Sequence, residues 1–127
     1  MKITIYQLIS TLEIEKDLST QKLPIQVAYN LSKIFARAHD ELKFYQEKFK
    51  EILKQYGEKD DKGELVFLEN DSISIQKDKI DECQKEILDL QNLEIEMPDY
   101  TISLKSLDSI KISLNEISTL MPFICES

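Results

Sequence analysis

One histidine, two cysteines and a surplus of carboxylates are the side chains of this 127-residue chain that could do chemistry. His39 is alone, which excludes a metal site built on paired imidazoles. Placed between Ala38 and Asp40, it reads as a boundary histidine in preference to a general base. Cys83 and Cys125 have no second Cys or His at ligand spacing, so both read as small buried apolar residues of a reducing compartment. A thiol dyad of either with His39 would need a cleft that no loop signature advertises. Glu82 and Glu86 lie four apart on one helix face, but bundle metal sites also draw on a His at i+3, which is missing here. A calcium loop counted from Glu58 finds Glu58, Asp60, Gly63 and Glu69 in register, with Lys62 at the fifth position, where a cation repels the ion. Gly57 and Gly63 alone cannot build a phosphate-binding loop. The inventory therefore predicts no catalytic residue, no cofactor, no metal and no small-molecule ligand.

The elements say more. From Pro24 to Tyr56 the residues Ala28, Leu31, Phe35, Ala38, Leu42, Tyr45, Phe49, Ile52 and Tyr56 recur at steps of three and four without a skip. This period predicts one long helix of roughly 50 Å presenting a narrow apolar seam, with Val27, Ile34 and Leu53 flanking it. Leu23-Pro24 opens the helix, and Gly57 stands where a left-handed C-terminal cap would be. Glu47 with Lys50 and Glu51 with Lys54 are i,i+3 pairs on it. A capping box at Thr4-Ile5-Tyr6-Gln7 predicts a first helix over 5–17, and a second at Ser113–Glu116 predicts a short helix stopped by Pro122. Phe123 and Ile124 form an apolar tail expected to be buried.

After a charged turn over 58–63, Leu65–Leu68 and Ile73–Ile75 flank Glu69-Asn70-Asp71-Ser72 and predict a β-hairpin without glycine in its turn. Asp78 is the expected N-cap of a helix carrying Ile80, Cys83, Ile87 and Leu90, which returns antiparallel beside the Leu42–Tyr56 half of the seam. Leu93, Ile95, Met97, Ile102 and Leu104 alternate with polar residues and suggest short extended segments. No internal repeat is visible. The expected fold is mainly α (α+β), a single domain over 1–127. Residues 24–91 form a helical hairpin with a β tip, and 1–23 and 92–127 pack on it.

Charge and hydropathy narrow the partners. No apolar run reaches the ~18 residues of a membrane span and no export signal opens the chain, so a soluble cytoplasmic protein is expected. The net charge of −8 is uneven: residues 57–127 carry seven Lys against seventeen acids. Direct nucleic-acid binding needs a basic face and is disfavoured. The acids Asp60, Asp61, Glu64, Glu69, Asp78, Asp81, Glu82 and Glu86 are either a solvated surface or one that meets a basic partner.

The run Lys22-Leu23-Pro24-Ile25-Gln26-Val27-Ala28-Tyr29-Asn30-Leu31-Ser32-Lys33 resembles the opening of small proteins encoded by bacteriophages and prophages of Gram-positive bacteria. In that family a leucine-proline start and an A-Y-x-L-x-K run lead into a long charged helix. Gln55-Tyr56-Gly57-Glu58-Lys59-Asp60 matches the end of that helix, and Leu120-Met121-Pro122-Phe123-Ile124 the family's C-terminal ending. The resemblance covers most of the chain and implies a viral origin and this architecture, with no activity attached. The seam is longer than the helices expected to cover it, so its uncovered part, or the apolar hairpin, is expected to meet a second copy in a homodimer. The expected role is a non-catalytic assembly or accessory protein acting on other proteins through its helical hairpin, in the host cytoplasm or with the virion. The alternative is a small acidic anti-defence inhibitor that occupies the basic groove of a host nucleic-acid-handling enzyme as DNA would. An enzyme is the least supported class.

Overall fold

A computed structural model describes residues Met1–Glu126. The chain is mainly helical with small β elements, and it divides into two compact units, 1–42 with 94–127, and 43–93. The helix α3, Ile25–Tyr56, supplies its residues up to Leu42 to the first unit and the remainder to the second.

In the first unit β1 (Lys2–Thr4) leads into α1 (Ile5–Ser10) through the expected capping box, the Gln7 N–H donating to Thr4 Oγ1. The predicted first helix is not continuous. A 3₁₀ stretch, Thr11–Ile14, separates α1 from α2, Glu15–Ser19. Thr11 is fully buried, and its hydroxyl donates to the Leu8 carbonyl, a local bond that competes with the helical ladder. β2 (Glu94–Glu96) pairs antiparallel with β1 in the register Ile3 to Ile95. β3 (Ile102–Ser103) pairs in parallel with β4 (Ile124–Cys125). Between them α5, Leu114–Leu120, starts at the second capping box, and Phe123 is buried in the unit's own core with Leu8, Ile34, Ile102 and Leu120.

Along α3 this core takes the expected seam together with its flank. Leu31, Phe35 and Ala38 of the seam are buried, as are the flanking Val27 and Ile34, whereas Ala28 is only half-covered. Farther on Leu42, Tyr45, Phe49 and Ile52 are half-buried and Tyr56 is buried. A helix of about 3.6 residues per turn slips about 20° per heptad against a 3.5 repeat, so one straight seam cannot stay central over this length.

The second unit holds the largest departure from expectation. Past Tyr56 the backbone forms a closed cycle of three segments. The Glu58 N–H donates to Ser74 O (2.7 Å), Ser74 N–H to Val66 O (2.9 Å) and Val66 N–H to Glu58 O (2.9 Å). Eight residues separate consecutive members, and the neighbouring bonds repeat with the same period. Asp60, Leu68 and Gln76 donate to Glu64, Ser72 and Tyr56, and the same three residues accept from Gly63, Asp71 and Lys79. The predicted hairpin, Phe67 opposite Ile73, is one side of this cycle; Lys59 opposite Leu65 and Gly57 opposite Ile75 are the others. The backbone thus repeats where the residue types do not.

The first two turns need a left-handed residue at their last position, and Gly63 (φ 79) and Asp71 (φ 64) supply it. The third turn rolls instead into α4, Ile80–Gln91, through the 3₁₀ stretch Lys77–Lys79. Asp78 is consequently not the N-cap. Lys79 takes that place without a side-chain cap, because the turn is already closed by its bond to Gln76. Gly57 is not a left-handed cap either. It sits inside the cycle, where an added Cβ would lie 2.7 Å from Leu65 Cδ2, 2.9 Å from Ile73 Cγ2 and 3.0 Å from Leu53 O.

Replacement of the two glycines separates space from backbone strain. Gly57→Ala is expected to cost about 1–3 kcal/mol by overpacking the cycle. Gly63→Ala, with nothing within 4 Å of its Cβ, should cost about 1 kcal/mol, from its positive φ alone. Urea denaturation of both variants checks the order, and equal costs would contradict it.

Candidate functional site

Three recesses stand out, one in the first unit and two in the second. In the first unit a groove of about 470 Å³ has Leu18, Leu31 and Phe35 in its lining, with Ser19, Ser32 and His39 among its polar members. His39 Nε2 lies 2.9 Å from Glu15 Oε1 and 3.2 Å from Oε2, a pairing that joins α3 to α2 and that sequence spacing could not reveal. A carboxylate-held imidazole could orient a proton transfer. The two serines in the lining are engaged otherwise: Ser19 Oγ donates to Lys16 O and Ser32 Oγ to Tyr29 O. The groove therefore offers an apolar surface rather than an assembled nucleophile.

In the second unit α4 runs antiparallel to the end of α3. Gln91 Nε2 donates to Tyr45 Oη (3.3 Å) at one end, and Tyr56 meets Glu82, Cys83 and Glu86 at the other. On α3 the rings of Tyr45 and Phe49 stack at 5.9 Å. They form a shallow shelf of about 620 Å³ with Lys43, Gln46, Glu47 and Lys50. Nearer the β cycle a cleft of about 470 Å³ is floored by Leu53, Ile73, Ile75, Cys83 and Ile87. Leu68 and Ile80 line the same cleft, with Glu58, Lys77 and Gln84 among its polar members. Leu68 and Ile80 are 52% and 40% exposed, and Phe67 and Leu88 of the same unit 58% and 55%.

Of the predicted acids, Asp60, Asp61, Glu64, Glu69, Asp78, Asp81 and Glu82 are exposed and Glu86 is half-buried, all in this unit. Lys79 pairs with Glu82 at 3.6 Å, and Glu51 pairs with Lys48 rather than with the expected Lys54. The residues of the imagined calcium loop serve the turn instead. Asp60 Oδ1 accepts the N–H groups of Lys62 and Glu64, and Glu58 Oε2 accepts from Ser74 Oγ. Among the described residues no group of three His, Cys, Asp or Glu is arranged to hold a metal ion, and no helix is long and apolar enough to cross a membrane.

The shelf was legible in the sequence as the far half of the seam; the cleft was not. Its lining comes from α3, the cycle and α4 together, and only the closure of the cycle brings Leu68, Ile73 and Ile75 to one place. Comparison of the chain with family models, curated proteins and solved structures returns no match in any of the three.

Burial raises the Tyr56 phenol above its ordinary pKa, and the nearby Glu86 carboxylate raises it further. The fold favours the neutral phenol. Its contribution to stability is present in full below the unfolded value of about 10 and is lost as pH rises through the raised folded value. An absorbance titration of the native protein should show a late-ionising tyrosine fraction that disappears in Tyr56→Phe. Curves that differ only in amplitude would contradict the assignment.

Proposed function

We propose that the chain is a non-catalytic protein-interaction module of phage or prophage origin, an assembly or accessory factor that works through the helical hairpin of its second unit. The observation that carries this reading is the exposure of Leu68 and Ile80 at an apolar cleft, with Phe67 and Leu88 also exposed in the same unit. Apolar side chains left exposed at one apolar cleft mark a surface made to be covered. The likeness of the Leu23–Lys33 and Gln55–Asp60 runs to phage-encoded proteins supports the origin.

The competing reading, an acidic inhibitor that stands in for DNA, draws on the same unit. There nine Lys interleave with thirteen acids, and Lys48 and Lys79 are ion-paired to neighbouring carboxylates. Neutralisation of this kind favours apolar docking over phosphate mimicry.

The test is affinity capture from host lysate, infected and uninfected, with the full chain and with its Leu68→Lys/Ile80→Lys variant. Both side chains are partly exposed, so the variant should melt near the wild type. A partner retained by the wild type and depleted about tenfold or more on the variant, a loss of ~1.4 kcal/mol or more in binding, is the expected result. Equal capture by both proteins would overturn the reading.

A further inference from the structure

We propose that a smaller recess of the first unit, between the start of α3 and residues 99–106, binds a small neutral polyhydroxyl compound, a free sugar or cyclitol. It belongs to the first unit alone and draws on nothing in the second.

The recess holds about 390 Å³, within the range of about 300–1,000 Å³ common to small-molecule sites. Val27 and Ile102, each 1% exposed, supply its apolar part.

Asn30 carries the site. It is a polar side chain only 8% exposed, on a stretch of α3 whose neighbours Val27 and Ile34 join the core. Its Nδ2 donates to Thr101 O at 2.7 Å. A carbonyl can only accept, so this bond fixes which end of the carboxamide is the oxygen. Among the described residues Asn30 Oδ1 takes no hydrogen bond. It is not sealed in protein either, since the buried side-chain oxygen that lacks a partner is Oε2 of Glu116. Asn30 lines the recess, and the recess is where its oxygen opens. An acceptor so placed needs a donor from whatever the recess holds.

The rest of the lining indicates what that donor is. Ser106 Oγ donates to Ser103 O (2.6 Å), which leaves its own lone pairs as acceptors. Asp99 adds a carboxylate whose Oδ1 lies 2.9 Å from the Met1 amino group, so its charge is offset. Gln26 and Thr101 are exposed, and among the described residues their side chains make no hydrogen bond. A carboxamide and a hydroxyl thus stand ready both to donate and to accept.

The described lining consists of hydroxyls, carboxamides, one thiol, the offset carboxylate and two aliphatic side chains. A phosphate finds no cation in that set, and a nucleobase finds no ring to stack on. A lipid chain would cover polar groups without pairing them. A ring bearing several hydroxyls meets every requirement. Each hydroxyl donates and accepts, and the C–H face can rest on Val27 and Ile102.

Two-dimensional NMR of the full chain is the test, with D-glucose, myo-inositol, inorganic phosphate and cyclohexanol titrated in turn up to about 50 mM, a range that reaches weak sites. Glucose or inositol should move the Asn30 side-chain amide and the Thr101 and Ser103 backbone amides saturably, with half-saturation in the millimolar range. Gln26→Ala and Thr101→Val change exposed side chains, and each should weaken that binding about threefold to tenfold, the worth of one hydrogen bond. Failure of both polyols to saturate these resonances would overturn the assignment. So would saturation of the same resonances by phosphate or cyclohexanol, or variants that bind the polyol as the wild type does. Lysate capture through Leu68 and Ile80 is a separate readout, so an empty recess would leave the interaction module standing.

Discussion

Three backbone bonds, Glu58 to Ser74 to Val66 and back to Glu58, hold the second unit in its form. A two-stranded hairpin is marginal in water because one row of bonds must offset the ordering of two strands and a turn. Here each segment is tied to both of the others, so no edge of the cycle is left to fray on its own. The closure has a steric condition at its centre. Leu65 and Ile73 converge on the place where a side chain at position 57 would stand, which makes glycine the residue that fits. It also has a conformational one: the left-handed positions fall eight residues apart, at Gly63 and Asp71. Aspartate is among the few side chains that tolerate that region, which is how the second turn forms without glycine.

The proposed function hangs on this closure through the cleft. Ile73 and Ile75 belong to the cycle and face Leu53 of α3 and Cys83 and Ile87 of α4 across the recess. Were the segments independent, Leu68 would have no fixed station. Held as it is, it lines the cleft of a unit otherwise rich in charge. The charge itself is redistributed by the fold. The excess of acids over 57–127 looks in sequence like a single block. Residues 94–127 return to the first unit, however, and each unit ends with four more acids than bases.

What was legible in the sequence follows from locality. Capping boxes at Thr4 and Ser113 act within four residues, and the three-four spacing from Ala28 to Tyr56 announces a helix whatever surrounds it. The strand pairing of β1 with β2 joins residues ninety or more positions apart and left no trace beyond alternation at Leu93–Met97. The Glu15–His39 pair and the eightfold backbone period are likewise products of topology, with no repeated residue types to betray them. Gly57 and Asp78 depart from expectation for one cause: residue type suggests a helix end at each, whereas the cycle claims the backbone groups around them.

Native-state hydrogen exchange at the amides of Glu58, Val66 and Ser74 measures that closure directly. If the three bonds form one cooperative ring, these amides exchange with the same opening free energy and the same denaturant dependence. Separate values, with any one amide opening while the other two stay protected, would show ordinary hairpins side by side and would remove the support on which the interaction face depends.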